Sequence, residues 1–154
     1  MKPYIISAFP GTGKSTFADN KSDMLDLESS AFSWTFDLDA PDCRKRNEDF
    51  PRNYVDEIER ILKEESKYRY VFISSHDTVR KELHRRGILF NVIYPNPFIR
   101  DEYISRYIRR GSEQAFVSML HDRWYDMIDS IMEEDSKTPT IELKSGQYIE
   151  DILK

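Results

Sequence analysis

Apolar residues in this chain gather into short runs separated by stretches of helical period. Tyr4-Ile5-Ile6-Ser7-Ala8 is a compact apolar run ended by Pro10-Gly11-Thr12-Gly13, a buried strand passing into a turn. Helical signals start at Lys14 and continue to about Asn20, and a second run, Met24-Leu25-Asp26-Leu27-Glu28, carries acidic residues at its end. Over residues 30–52 no period holds and Pro41 and Pro51 interrupt mixed charges, so an irregular or partly helical surface excursion is expected. From Tyr54 the pattern is helical, with Val55, Ile58, Ile61 and Leu62 on one stripe and Glu57, Glu64 and Glu65 outside it. Tyr70-Val71-Phe72-Ile73-Ser74 reads as the third strand, after which Ser75 or Asp77 caps a helix carrying Val79 and Leu83, stopped by Gly87. A fourth strand is expected over 88–94, closed by Pro95 and Pro97. Two helical stretches, about 98–110 and 113–134, part at Gly111-Ser112. In the second, Phe116, Leu120, Trp124, Met127, Ile128 and Ile131 recur at core spacing. Thr140-Ile141-Glu142-Leu143 is a fifth short strand, and 148–153 reads as a terminal helix.

Strands alternating with helices predict an α/β fold, a parallel sheet covered by helices on both faces, in one domain over 1–154. In such sheets ligands bind beyond the carboxyl ends of the strands. The chemically suggestive residues all follow strand ends, at 11–15, 26–30, 74–77 and 95–110, which predicts one composite site.

The first of these segments is the most specific. Ala8-Phe9-Pro10-Gly11-Thr12-Gly13-Lys14-Ser15-Thr16 fits the phosphate-binding pattern G-x-x-x-x-G-K-[ST], with alanine at the first position. Gly11 and Gly13 let the backbone turn its N–H groups inward around phosphate oxygens, and the following helix adds its positive end. Lys14 reaches the β- and γ-phosphates and Ser15 is placed to ligate magnesium, so residues 10–16 are assigned to ATP·Mg²⁺.

On this motif the chain resembles the P-loop nucleoside and nucleotide kinase superfamily, which includes nucleoside monophosphate, shikimate and gluconate kinases. In layout it is similar to small phage-type kinases. The resemblance implies a three-layer P-loop fold with a five-stranded sheet ordered 2-3-1-4-5 and a helical lid around 98–115. It implies that Asp26 holds a magnesium-bound water or acts as base, and that Glu28 orients the acceptor. It also implies that lid arginines close on the transferring phosphoryl group, with Arg106 and Arg110 stabilising charge and Arg109 touching ATP. Asp26 and Glu28 can instead be a solvated strand end, and the cluster Arg100, Arg106, Arg109, Arg110 a basic face paired with Asp101, Glu102 and Glu113.

Arg80, one helical turn beyond His76, can face an anionic substrate, while His76 itself fits a capping role as well as a catalytic one. Phe32, Trp34 and Phe36 can stack a nucleobase or lie under the excursion as core. A GTPase would carry N-K-x-D, which is absent. The third strand ends Ser74-Ser75-His76-Asp77 rather than in the paired acids of a helicase or transporter ATPase, and these sequence neighbours form no nucleophile elbow.

Composition narrows the partners. A net charge of −5 disfavours a nucleic-acid backbone and suits a small anionic ligand bound at a local basic patch. No apolar run spans a bilayer, no signal peptide is read at the N-terminus, and the single Cys43 fits a free thiol in the cytoplasm. The expected activity is transfer of the ATP γ-phosphate to a small molecule, with a nucleoside monophosphate as the leading acceptor. The alternatives are a small-metabolite kinase and a non-catalytic ATP-binding regulator. Oligomeric state is not legible.

Overall fold

Alternation of apolar side chains along five short strands makes a sheet with two buried faces, and each face selects its own helices. The computed structural model describes residues 2–37, 40–64, 67–134 and 138–153, with only the backbone at 35–37 and 40–44, so the side chains of Phe36 and Cys43 lie outside the described part. The chain runs β1 (Tyr4–Ala8), α1 (Lys14–Ala18), β2 (Met24–Asp26), α2 (Ser30–Ser33), β3 (Trp34–Asp37), β4 (Ala40–Arg46) and α3 (Arg52–Lys63). It continues through β5 (Tyr70–Ile73), α4 (Asp77–Arg85), β6 (Asn91–Pro95), a 3₁₀ turn (Pro97–Ile99), α5 (Arg100–Arg109), α6 (Gln114–Met132), β7 (Thr140–Leu143) and α7 (Ile149–Ile152).

The main sheet is parallel and ordered β2-β5-β1-β6-β7. Its labels differ from the expected 2-3-1-4-5 because two strands of a separate antiparallel hairpin, β3 and β4, fall in the chain between the second and third strands of the sheet. That hairpin, with the turn of helix α2, occupies the stretch expected to be irregular. Its strands pair through backbone, Trp34 opposite Arg46, while Asp-Cys-Arg-Lys-Arg along β4 gives no apolar alternation by which a strand is recognised. The fourth sheet strand begins at Asn91 rather than 88, and α1 stops at Ala18, with Asn20 in the left-handed region at φ 58°.

On one face of the sheet, Ile5, Val71, Ile73, Val92 and Tyr94 pack with Tyr54, Val55 and Ile58 of α3, Val79 and Leu83 of α4, Tyr103 and Tyr107 of α5, and Leu120, Trp124 and Ile128 of α6. On the other, Ile6, Ala8, Phe72, Ile93 and Leu143 pack with Phe17 of α1 and Ile149 of α7. Trp124 is fully buried, with its ring 5.3 Å from Phe9 and 5.5 Å from Tyr103 between centroids. Aromatic pairs of this kind add about 0.5–1.5 kcal/mol each beyond simple burial. The Trp124 indole N–H donates to the Pro97 carbonyl at 2.9 Å, which pins the turn leading from β6 into α5. The stretch expected as a lid is therefore anchored: Tyr103, Arg106 and Tyr107 of α5 are all buried.

Candidate functional site

Parallel pairing brings the ends of β1, β2 and β5 to one edge, and the loops that follow them meet there. Between β1 and α1 the chain turns through Gly11 (φ 88°) and Gly13 (φ 90°), conformations that side chains other than glycine rarely adopt. Space demands the same residues: a Cβ on Gly11 would lie 2.8 Å from Tyr107 Cε1, and one on Gly13 3.0 Å from Tyr148 Cδ1. Thr12 is fully buried, and its hydroxyl donates to the Phe9 carbonyl at 2.8 Å, closing the turn on itself.

Lys14 lies partly buried at the head of α1, its ammonium 3.4 Å from the Ala8 carbonyl. Burial lowers its pKa, partly offset by the charges of Asp26 and Glu28, with Arg110 pushing the same way as burial. The Ser15 hydroxyl donates to Asp26 Oδ2 at 2.7 Å, joining the glycine loop to the end of β2. The other Asp26 oxygen, Oδ1, is buried and accepts from no donor among the described residues, with the Glu28 carboxyl interacting with the same side chain. Glu28 follows on the exposed side; desolvation first, then the neighbouring Asp26 charge, raises its carboxyl pKa. The structure thus brings Lys14, Asp26, Glu28 and Arg110 within electrostatic reach of one another, with Ser15 bonded to Asp26.

The wall beyond the carboxylates is organised by a residue the sequence reading placed only as a helix start. Tyr54 is fully buried on α3; its hydroxyl donates to the Leu27 carbonyl and accepts the Ser74 N–H at 3.2 Å. One phenol thereby ties the loop after β2 to the loop after β5. Its ring packs against Phe32 at 5.3 Å and Phe50 at 6.0 Å, and Phe50 meets the His76 ring at 5.9 Å. Ser74 Oγ lies 2.9 Å from His76 Nδ1, and the Ser7 hydroxyl donates to the Ser74 carbonyl at 3.0 Å. Although part of its ring is open to solvent, His76 is held below its ordinary pKa, by desolvation first and then by the positive charges of Lys14 and Arg46. Arg46 stands over the Trp34 ring, 5.6 Å from its centroid. Tyr54→Phe is expected to cost about 1–3 kcal/mol, because it leaves buried backbone groups unpaired. Urea denaturation of the two proteins measures this directly.

Three arginines stand elsewhere than expected. Arg80 is 2% exposed and bonds the Ser130 hydroxyl of α6, the Glu134 carboxylate just past that helix and the Ser75 carbonyl of the loop after β5. Its partner Glu134 is 16% exposed, so the position is an interior ion pair rather than a substrate contact. Arg106 lies behind the glycine loop rather than over its mouth. Its guanidinium is sandwiched between Tyr103 and Tyr148, 4.3 and 3.9 Å from their ring centroids, and donates to the Gly11 and Gln147 carbonyls and to Glu102. Arg109 lies on the exposed face of α5, bonded back to the Ser105 carbonyl at 3.4 Å. Arg110, at the end of that helix, stays exposed beside Tyr107.

Two surface hollows, one beside His84, Phe90 and Thr138 and one beside Glu102, Ile108 and Arg109, are lined by residues other than Lys14, Ser15, Asp26, Glu28 and Arg110. Among the described residues no cluster of three or more His, Cys, Asp or Glu side chains is placed to hold a metal by itself, and no helix is long and apolar enough to cross a membrane. Compared with protein-family models and with curated proteins, the chain finds no match.

Proposed function

We propose that the chain is a P-loop phosphotransferase of the three-layer kinase type. It binds ATP with magnesium at residues 10–16 and passes the γ-phosphoryl group to a small-molecule acceptor, with a nucleoside monophosphate as the leading candidate. The observation that carries this reading is the Ser15–Asp26 hydrogen bond of 2.7 Å, made beside the desolvated Lys14 at the end of a glycine loop. Hydroxyl, carboxylate and ammonium around one opening suit a charged polyphosphate and its counter-ion.

Magnesium fits the residues present. It keeps several waters and takes one or two protein oxygens beside the substrate phosphates. The Ser15 hydroxyl and Asp26 Oδ1, which accepts from no donor among the described residues, are oxygens of that kind. Bound there, the ion would neutralise phosphate charge. The chain's own groups do the rest: loop N–H groups orient the phosphates, Lys14 neutralises the oxygens that gain charge, and Arg110 approaches from the end of α5. On the far side Glu28 orients the acceptor and Phe32 and Phe50 shield it from bulk water.

A second reading, a small-metabolite kinase, is favoured by the fate of Arg80. With that arginine committed to Glu134, an expected reader of an acceptor phosphate is missing, and the carboxylates at the mouth suit hydroxyl groups. ATP consumption with magnesium across nucleoside monophosphates, nucleosides, sugar acids and polyols separates the two. Turnover raised about 100-fold or more by monophosphates supports the first, and by neutral polyols or sugar acids the second. ATP binding without turnover on any acceptor leaves a nucleotide-dependent binder.

A further inference from the structure

Three consecutive carbonyls of the glycine loop are each held from outside by a donor distant in sequence. The Pro10 carbonyl accepts the Tyr107 hydroxyl at 2.7 Å, the Gly11 carbonyl accepts Arg106 Nη1 at 2.8 Å, and the Thr12 carbonyl accepts the Ile149 N–H at 2.9 Å. A loop that binds anions through its N–H groups must turn its carbonyls the other way, and carbonyls left without partners would compete to turn back. Here that orientation is fixed by two buried side chains of α5 and by the first residue of α7. Arg106 is itself locked: Glu102 bonds it at 3.1 Å and also accepts the Ser145 hydroxyl and the Gly146 N–H, so the loop after β7 belongs to the same brace.

We propose that Tyr107 and Arg106 are positioning residues that hold the glycine loop in its anion-binding form before any ligand arrives, acting on phosphate through the loop carbonyls. This rests on the nucleotide reading of the loop. The brace accounts for an arginine buried behind the loop and for three tyrosines, 103, 107 and 148, gathered around it. It also accounts for the packing of rings against both glycines, which leaves the loop no room to collapse. Preformed sites bind more tightly because less ordering is needed on association.

The test uses the full chain with ATP·Mg²⁺ and with inorganic tripolyphosphate as ligands, measured by calorimetry beside thermal melting. Tyr107→Phe keeps the buried ring and removes only the donor to the Pro10 carbonyl, and is expected to weaken both ligands about 10-fold. Arg106→Gln removes the Gly11 partner and is expected to do at least as much. Tyr125→Phe, the same exchange on an exposed ring, is the control and is expected to bind as wild type. Hydrogen exchange at the amides of residues 11–14 in the ligand-free protein provides the reading that a merely structural role would not move: faster exchange there in Tyr107→Phe, with β1 and β5 unchanged. Wild type that binds both ligands, with Tyr107→Phe and Arg106→Gln binding as tightly and exchanging as slowly, overturns the brace alone. Wild type that binds neither ligand overturns the nucleotide reading and the brace with it.

Discussion

Lys14→Met is expected to lower ATP-dependent phosphoryl transfer by about 1000-fold, the scale on which removal of one preorganised charge-stabilising group acts. Its folding stability is expected to stay equal to wild type or to rise. The two expectations come from one fact. The Lys14 ammonium sits where burial lowers its pKa, with a weak bond to the Ala8 carbonyl at 3.4 Å, so in the free protein its charge opposes folding. For a base whose folded pKa lies below its unfolded value, the unfolded state binds more protons, and stability increases as pH rises through that window. Methionine keeps the stem without the charge, so this pH-dependent component should disappear. Steady-state kinetics together with melting curves between pH 7 and 10 check both halves. A large fall in stability with unchanged transfer would mean that Lys14 is an ordinary structural residue and the loop is not a phosphate site.

Arg80→Ala is expected to cost about 3–5 kcal/mol, because it removes the guanidinium from a carboxylate 16% exposed and leaves it the His84 imidazole at 3.6 Å. At this chain length each kcal/mol moves the melting temperature by about 2–4 °C, so a loss of roughly 6–20 °C is expected. The double exchange Arg80→Met with Glu134→Leu should recover most of it, since replacing both partners by apolar groups leaves no orphaned charge. Acceptor KM per folded molecule should be unchanged throughout, and a selective rise in KM would return Arg80 to the substrate-binding role its sequence position suggests. Thermal melts of the three proteins and a KM series decide this.

The two arginines show where sequence reasoning reaches and where it stops. The turn through Gly11 and Gly13 into the helix at Lys14 is legible because its signals are contiguous in the chain. The sheet strands are legible for a similar reason, since a buried parallel strand must be apolar on both faces, as Tyr4 to Ala8 and Tyr70 to Ile73 largely are. Arg80 and Arg106 sit on helices one turn from site-forming loops, and spacing alone makes both candidate anion contacts. What assigns them is a partner 54 residues away for Arg80 and 95 residues away for Arg106, and no local pattern encodes such a pairing. Tyr54 is hidden in the same way: its hydroxyl partners, Leu27 and Ser74, belong to two other loops. The hairpin β3–β4 is missed for a different reason, because its pairing is carried by backbone while β4 is strongly charged.

The two tryptophans of the chain stand in different surroundings. Trp124 lies in a dry aromatic nest against Phe9, one residue before the glycine loop, whereas Trp34 stands in the hairpin with a guanidinium over its ring. Their surroundings differ enough in polarity to separate their emission, the interior indole at shorter wavelength and the hairpin indole at longer. The protein therefore carries intrinsic optical reporters: Trp34→Phe leaves a signal from the aromatic core behind the glycine loop, and Trp124→Phe leaves one from the hairpin, so changes at the two places can be followed separately without a label.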